Sequence, residues 1–264
     1  GERRRLLTRE AELHSFLLTN AVPVITIGDG WHLGASASGL FMAASSRVCT
    51  DRTVLALPEC RRGQFPGSGW LAYLSAVPPH IAMFVALTGA QLNPHDCINL
   101  GLASHYVPAA DVLDLLNELR RAPSEYLDVP LSRRARSPPD GLASLFACDV
   151  QEMIDASLLK AFGGEVCSVD EVRSVLDAES ARLNTMLRSC GWQTRERAEA
   201  VLDVLDTAAN ALKRSDAEAV AATFDAVRQA RAGPDGRLSD EAVRELELTL
   251  TCELAERMEA AADA

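Results

Sequence analysis

The sequence predicts an α/β first part followed by an all-helical second part, and three observations carry that prediction. Residues 21–31, "AVPVITIGDGW", are rich in β-branched side chains and close on Gly28 and Gly30, the pattern of a buried strand that ends in a turn. Residues 80–107 alternate helical and strand signals. Beyond Pro108 the β-branched runs almost vanish, and capping patterns recur ahead of alanines and leucines at helical spacing. The expected organisation is an α/β core over residues 1–108 and a helical region over residues 109–264, with no internal repeat.

Within the first part, Leu40, Phe41 and Ala44 suit a short helix. "RVCT" at 47–50 then suits a strand, "DR" a turn and "VLAL" at 54–57 a second strand. Ile81, Phe84, Val85 and Leu87 form an apolar helical face that Gly89 stops, and "NPHDCINLGLASHYV" at 93–107 gives another helix and then a strand. In the second part, Ser168 with Glu171 and Ser215 with Glu218 both match the S-x-x-E capping box. Val243, Leu246, Leu250 and Leu254 mark one face of a last helix, while "RSPPDG" at 136–141 and "AGPDGR" at 232–237 read as loops.

Composition narrows the function classes. A hydrophobic fraction of 48% over 264 residues is enough for a sizeable core. The longest stretch free of acids, lysine and arginine, residues 63–95, is broken by Pro66, Pro78, Pro79 and His80, short of the roughly 20 apolar residues that a membrane span needs. A net charge of −11 argues against broad electrostatic capture of nucleic acid. The densest basic runs, "GERRR" at 1–5 and "SRRARSPP" at 132–139, read as solvated charge on flexible segments. Seven scattered cysteines without a C-x-x-C pair support neither a disulfide framework nor a zinc site and fit a reducing compartment. The five histidines have no metal-ligand spacing and read as surface or satisfied side chains, and Ser36 and Ser38 carry no triad signature, so no metal is expected.

A series of short motifs carries a resemblance. Leu33 and Gly34 lead into "ASASGL", and "RVCTDR" at 47–52, "LPE" at 57–59, "GQFPGSG" at 63–69, "ALTG" at 86–89 and "LGLASHYV" at 100–107 follow, with no gap in spacing from Gly39 through Gly89. The series resembles the crotonase (enoyl-CoA hydratase/isomerase) superfamily, most closely its 3-hydroxyisobutyryl-CoA hydrolase branch. That branch carries "MGGGVGLS", "RVATEK", "MPE", "GLFPDVGG" and "ALTG". The resemblance implies a crotonase-like (ClpP/crotonase) spiral α/β core, with early strands and a "GGD" turn lying ahead of Gly1. In the helical half, "LTLTCELAER" at 248–257 resembles the family's late helix.

The resemblance also assigns a site. The family holds a CoA thioester oxygen on two backbone N–H donors, one from the early segment and one from the glycine triplet, which here is Ala35, Ser36 and Ala37. Ala35 and Ser36 are thus degenerate oxyanion and CoA-binding positions. Of the two carboxylates that the hydrolase chemistry implies, the first maps onto Glu59 and the second falls on Gly67, which has no side chain. Arg61 and Arg62 stand where the family has small or apolar residues, so Glu59 is expected to pair with an arginine and to be vestigial.

Two functions follow as expectations. The first is a degenerate, non-catalytic hydrolase-like protein of the mitochondrial ribosomal small subunit, which would act in the matrix, partnered by ribosomal proteins and touching rRNA through Arg133, Arg134 and Arg136. The alternative is an active mitochondrial 3-hydroxyisobutyryl-CoA hydrolase or enoyl-CoA hydratase-like enzyme of valine catabolism. That enzyme would use Glu59, form a homo-oligomer and need no cofactor beyond the CoA of its substrate. A filled pocket beside Glu59 and Ala35 favours the first, an open acyl tunnel the second.

Overall fold

A computed structural model describes residues 2–139, 151–188, 192–232 and 238–262. The chain opens with a helix, α1 (Glu2–Thr19), where the sequence suggests only a basic, flexible start. Its apolar residues make no clean stripe, since Leu6, Leu13 and Phe16 are exposed while His14 is buried. Tertiary contact holds it instead: α1 lies along the last helix, α12 (Asp240–Ala262), and Arg4 pairs with Glu256 at 3.2 Å.

Among the described residues five short strands follow, all in parallel pairs. β1 (Ile25–Gly28), β3 (Ser46–Cys49) and β5 (His105–Tyr106) form one sheet in the order β1-β3-β5, with Ile27 opposite Val48 and Val48 opposite His105. β2 (Trp31–Leu33) and β4 (Val54–Ala56) form a second, with Leu33 opposite Ala56. Parallel strands need crossovers, and α2 (Ala35–Met42) supplies the one that leads from β2 to β3.

The sheets are covered by helices. α4 (Pro79–Thr88) is buried at every position from Ile81 to Thr88 and forms the axis of the core. Around it pack α3 (Trp70–Ala76), α8 (Gln151–Phe162), α10 (Trp192–Arg214) and α11 (Ala217–Gln229), with Phe84 meeting Phe162 edge-on at 5.6 Å. One hydrophobic cluster runs from Ala35 to Leu254, so the change of character near residue 108 is one of secondary structure inside a shared core. A smaller cluster of Val48, Val107, Leu115 and Leu131 seals another face of the three-stranded sheet under α6 (Val112–Leu119) and α7 (Asp128–Arg134). After Tyr106 the described residues contain no strand, and the chain is a mixed α/β protein.

Caps explain several helix starts. Ser168 opens α9 (Val169–Leu187) by accepting from the Glu171 N–H, as its motif suggests. At α11 the cap is Asp216, not Ser215: the Asp216 carboxylate accepts from the Ala219 N–H at 2.9 Å, while the Ser215 hydroxyl donates back to the Ala211 carbonyl. Asp216 wins because its carboxylate also accepts from Arg257, tying α11 to α12. A reciprocal capping box of Asn93 and Asp96, which the motif survey passed over, starts α5 (Pro94–Asn99).

The "SRRARS" run is not a loose basic segment. Arg133 and Arg134 lie in the last turn of α7, where Arg134 bonds Glu118 and Asp114 and Arg133 pairs with Glu118. Arg136 donates to the carbonyls of Arg133 and Ala135. Much of this positive charge is therefore answered within the chain. Cys49, Cys60, Cys97, Cys167 and Cys252 are free thiols, while Cys148, Cys190, the end of the "RSPPDG" loop and most of "AGPDGR" lie outside the described residues.

Candidate functional site

The register of β2 against β4 builds the site. Because Leu33 lies opposite Ala56, the residues that leave both strands at that end come together: Gly34 and Ala35 from one, Pro58 and Glu59 from the other. The Gly34 N–H donates to the Ala56 carbonyl at 2.9 Å, fixing the exit of β2. Gly34 itself has φ 92°, and a Cβ there would lie 3.0 Å from Glu59 Oε1, so both its conformation and its neighbour require glycine.

Glu59 closes onto the start of α2. The Ala35 N–H donates to Glu59 Oε1 at 2.5 Å, so one backbone donor of the stretch Ala35, Ser36 and Ala37, to which the resemblance assigns a thioester-oxygen donor, is taken by the protein's own carboxylate. Glu59 is 8% exposed and its other oxygen, Oε2, accepts no hydrogen bond from the described residues. Burial pushes its carboxyl upward, while the Ala35 N–H, its own backbone N–H and the Arg62 charge pull the other way. The expected ion pair with an arginine is not formed: Arg61 and Arg62 are exposed, and Glu59 makes no salt bridge among the described residues. The chain turns these arginines outward from the short helical turn Pro58–Arg62 while Glu59 points in.

Gly67 lines the same small cavity as Glu59, Ala35 and Ser36, about 80 Å³ in volume. A Cβ at Gly67 would lie 2.6 Å from Thr251 Oγ1, so α12 occupies the space into which a side chain would grow. Leu7 of α1 and Ala255 of α12 close the cavity further. At about 80 Å³ this space is well below the roughly 300 Å³ at which small-molecule pockets begin. Ser38 is structural, its hydroxyl donating to the Gly34 carbonyl and accepting from Trp70 Nε1 at 2.8 Å.

Three further polar residues gather here that sequence reasoning did not place. Glu10 of α1 lines the cavity beside Glu59 and accepts from the Ser68 hydroxyl. Glu247 of α12 accepts from the N–H groups of Gly69, at 2.9 Å, and Leu71, capping α3, and burial pushes its carboxyl up to about 7. His14 is 4% exposed with Nε2 unpartnered, and is thus neither at the surface nor satisfied. No short motif could have flagged Glu10 and Glu247, because their partners Ser68 and Gly69 lie 58 and 178 residues away along the chain. Of the other histidines, His95 meets the Pro139 carbonyl and His105 the Ser104 hydroxyl, while Nε2 of His32 and of His80, the latter 3.8 Å from Asp155, are buried without a hydrogen-bond partner among the described residues and so are not satisfied as expected. Among the described residues no group of His, Cys, Asp and Glu is arranged to hold a metal.

The "Probable 3-hydroxyisobutyryl-CoA hydrolase 3" of Arabidopsis thaliana is 35% identical over 107 residues, which take in 40% of this chain and 28% of that protein. The "Small ribosomal subunit protein mS47" of the same plant is 43% identical over 84 residues, 32% of this chain and 20% of that protein. These alignments span less than a third of either relative. In three dimensions the chain is similar to a carnitinyl-CoA dehydratase from Mycobacterium thermoresistibile, with a TM-score of 0.71 at 24% identity over 96% of this chain and 63% of that one. An enoyl-CoA hydratase from Rhodobacter sphaeroides 2.4.1 gives 0.70 at 22%, over 94% and 60%. Those two likenesses establish the crotonase fold. The enoyl-CoA hydratase/isomerase family pattern matches residues 1–261, and the chain belongs to that family, with relatives in its 3-hydroxyisobutyryl-CoA hydrolase-like group.

Proposed function

We propose that this chain is a degenerate 3-hydroxyisobutyryl-CoA hydrolase-like protein without catalytic activity, which serves as a structural component of the small subunit of the mitochondrial ribosome. The observation that carries the proposal is the Glu59 carboxylate seated on the Ala35 N–H inside a cavity of about 80 Å³. Gly67, where the resemblance puts a second acid, faces Thr251 with no room for a side chain. Both parts of the site are altered together, and the similarity to a small-subunit ribosomal protein supplies the partner class. In this role the chain works in the mitochondrial matrix, held mainly by ribosomal proteins. Its acidic balance limits rRNA contact to arginines such as Arg133, which is 65% exposed.

The test is fractionation of mitochondrial ribosomes with the native protein tagged. The proposal expects co-sedimentation with the small subunit through a high-salt wash, at one copy per particle. A protein that sediments free of the subunit would overturn it. One feature favours the second reading, an active hydrolase or hydratase-like enzyme of valine catabolism: Glu59 Oε2 has no partner and Glu10 stands beside it, so two acids do line the cavity. That enzyme would need no cofactor beyond the CoA of its substrate.

A further inference from the structure

The chain carries 37 acidic residues against 26 arginines and lysines, so a lining that reverses this balance marks a distinct environment. One cleft does so, about 250 Å³ in volume, where α4 meets the ends of α8 and α11. Arg228 and Arg231 line it, and its described lining contains no aspartate or glutamate. The apolar part of the wall includes Met83, Phe162, Val166 and Val227, each 5% exposed or less. The cleft shares no residue with the cavity beside Glu59.

Both guanidinium groups are held in place, and neither forms a salt bridge among the described residues. Arg231 is half-buried, and its Nη2 donates to the carbonyls of Leu74 and Val77 at the end of α3. Of its three nitrogens only Nε is sealed in without a partner, so Nη1, which makes no hydrogen bond among the described residues, keeps accessible surface. Burial pushes the Arg231 guanidinium below the usual arginine range, and no acid pulls it back. Arg228 is exposed; its Nη1 donates to the Cys167 carbonyl at 3.2 Å, and its guanidinium lies 5.6 Å from the centre of the Phe224 ring. An unanswered charge against an apolar wall is costly, and the rigid guanidinium fork matches a carboxylate. A bare inorganic anion would leave the apolar wall unused, and an uncharged apolar molecule would leave both arginines unanswered.

We propose that this cleft binds a short-chain monocarboxylate as a free molecule. Its carboxylate meets Arg231 Nη1 and the Arg228 guanidinium, and its alkyl tail lies against Met83, Phe162, Val166 and Val227. Volume limits the tail: about 250 Å³ stands just short of the range that drug-sized ligands fill, so the ligand has few carbons. The inference does not rest on the ribosomal reading, because it concerns a cleft apart from Glu59 and is measured on the isolated chain without any ribosome.

Isothermal titration calorimetry on the full chain tests it with sodium hexanoate, the uncharged 1-hexanol, the tail-less sodium acetate, and N-acetyl-leucine. Hexanoate should bind with a Kd of about 1 mM or tighter, at least about tenfold below the Kd of 1-hexanol and of acetate. Added salt should weaken hexanoate and leave 1-hexanol unchanged. Arg228→Gln, at an exposed position, should weaken hexanoate about fivefold without altering 1-hexanol. Arg231→Gln should cost about tenfold or more. Arg231 also ties the end of α3, so circular dichroism and melting must match the parent for its variant to count, and Arg228→Gln decides alone if they do not. Arg121→Gln, an exposed arginine outside the lining, should leave binding unaltered. Equal affinity for hexanoate and 1-hexanol, or a folded Arg228→Gln variant that binds hexanoate like the parent, would overturn the proposal. N-acetyl-leucine, which presents the same head as a peptide end, should bind more weakly than hexanoate; tighter binding would overturn the free molecule as the source in favour of a partner's C-terminal carboxylate.

Discussion

Glu59 and Glu247 are both buried carboxylates seated at the start of a helix, yet they differ in completeness. Glu247 accepts from two N–H groups of α3, one on each oxygen, across 178 residues of sequence. Glu59 accepts from one N–H of α2, and its second oxygen is buried with no hydrogen-bond partner among the described residues. A fully answered carboxylate behaves as a structural clasp, because loss of the side chain leaves buried donors unmet. A half-answered one keeps chemical capacity. The contrast places architecture at Glu247 and whatever remains of a site at Glu59.

The largest expected effect breaks the clasp. Glu247→Ala strands two buried N–H groups and opens a void, and should cost about 4 kcal/mol by urea denaturation. Glu59→Ala strands one and should cost about half as much. Equal losses would erase the distinction between the two acids.

The next effect is on pH. Burial pushes the Glu247 carboxyl from 4.5 up to about 7, so between those values the folded chain holds a proton that the unfolded chain has released. This group's contribution to stability is therefore fully present below about pH 4.5 and is lost as pH rises through about 7. Measured as the parent minus the Glu247→Gln variant, stability should decline by roughly 3 kcal/mol across that window. A flat difference would mean that the clasp does not titrate there. Burial moves Glu59 in the same direction, so the variant should retain part of the slope.

The third prediction concerns the missing second acid. Gly67→Asp should cost about 2 kcal/mol, because its Cβ would crowd Thr251. Adding Thr251→Ala should recover most of that loss, a coupling that a double-mutant cycle reads directly. Additive losses would place the crowding elsewhere. The smallest effect lies away from both acids: Asp216→Ala should cost about 1 kcal/mol as the true cap of α11, while Ser215→Ala should stay within about 0.5 kcal/mol.

The sequence carries the first half of the fold in local signals. Strands β1, β3 and β4, helix α4 with its Gly89 stop, and the change beyond Pro108 all follow from β-branched runs, turn residues and periodicity. Helix α1 was not legible because Leu6, Leu13, Phe16 and Leu18 point outward while its buried face includes a histidine. The cap of α11 shifted by one residue because the deciding bond comes from Arg257, forty-one positions away. Likewise Glu59 could be singled out from "LPE" and Gly67 from "FPG", but their surroundings could not. What closes the cavity is Leu7 and Glu10 from one end of the chain and Thr251 and Ala255 from the other, a juxtaposition that only the packing of α1 on α12 creates.

Glu59 occupies the Ala35 N–H, and the proposed loss of catalysis requires that no substrate thioester reaches that donor. The most direct measurement is hydrolysis of 3-hydroxyisobutyryl-CoA by the full-length protein and by its Glu59→Gln variant, followed by thiol release. The account predicts no turnover above the uncatalysed rate for either protein. Turnover by the parent that disappears in Glu59→Gln would contradict it.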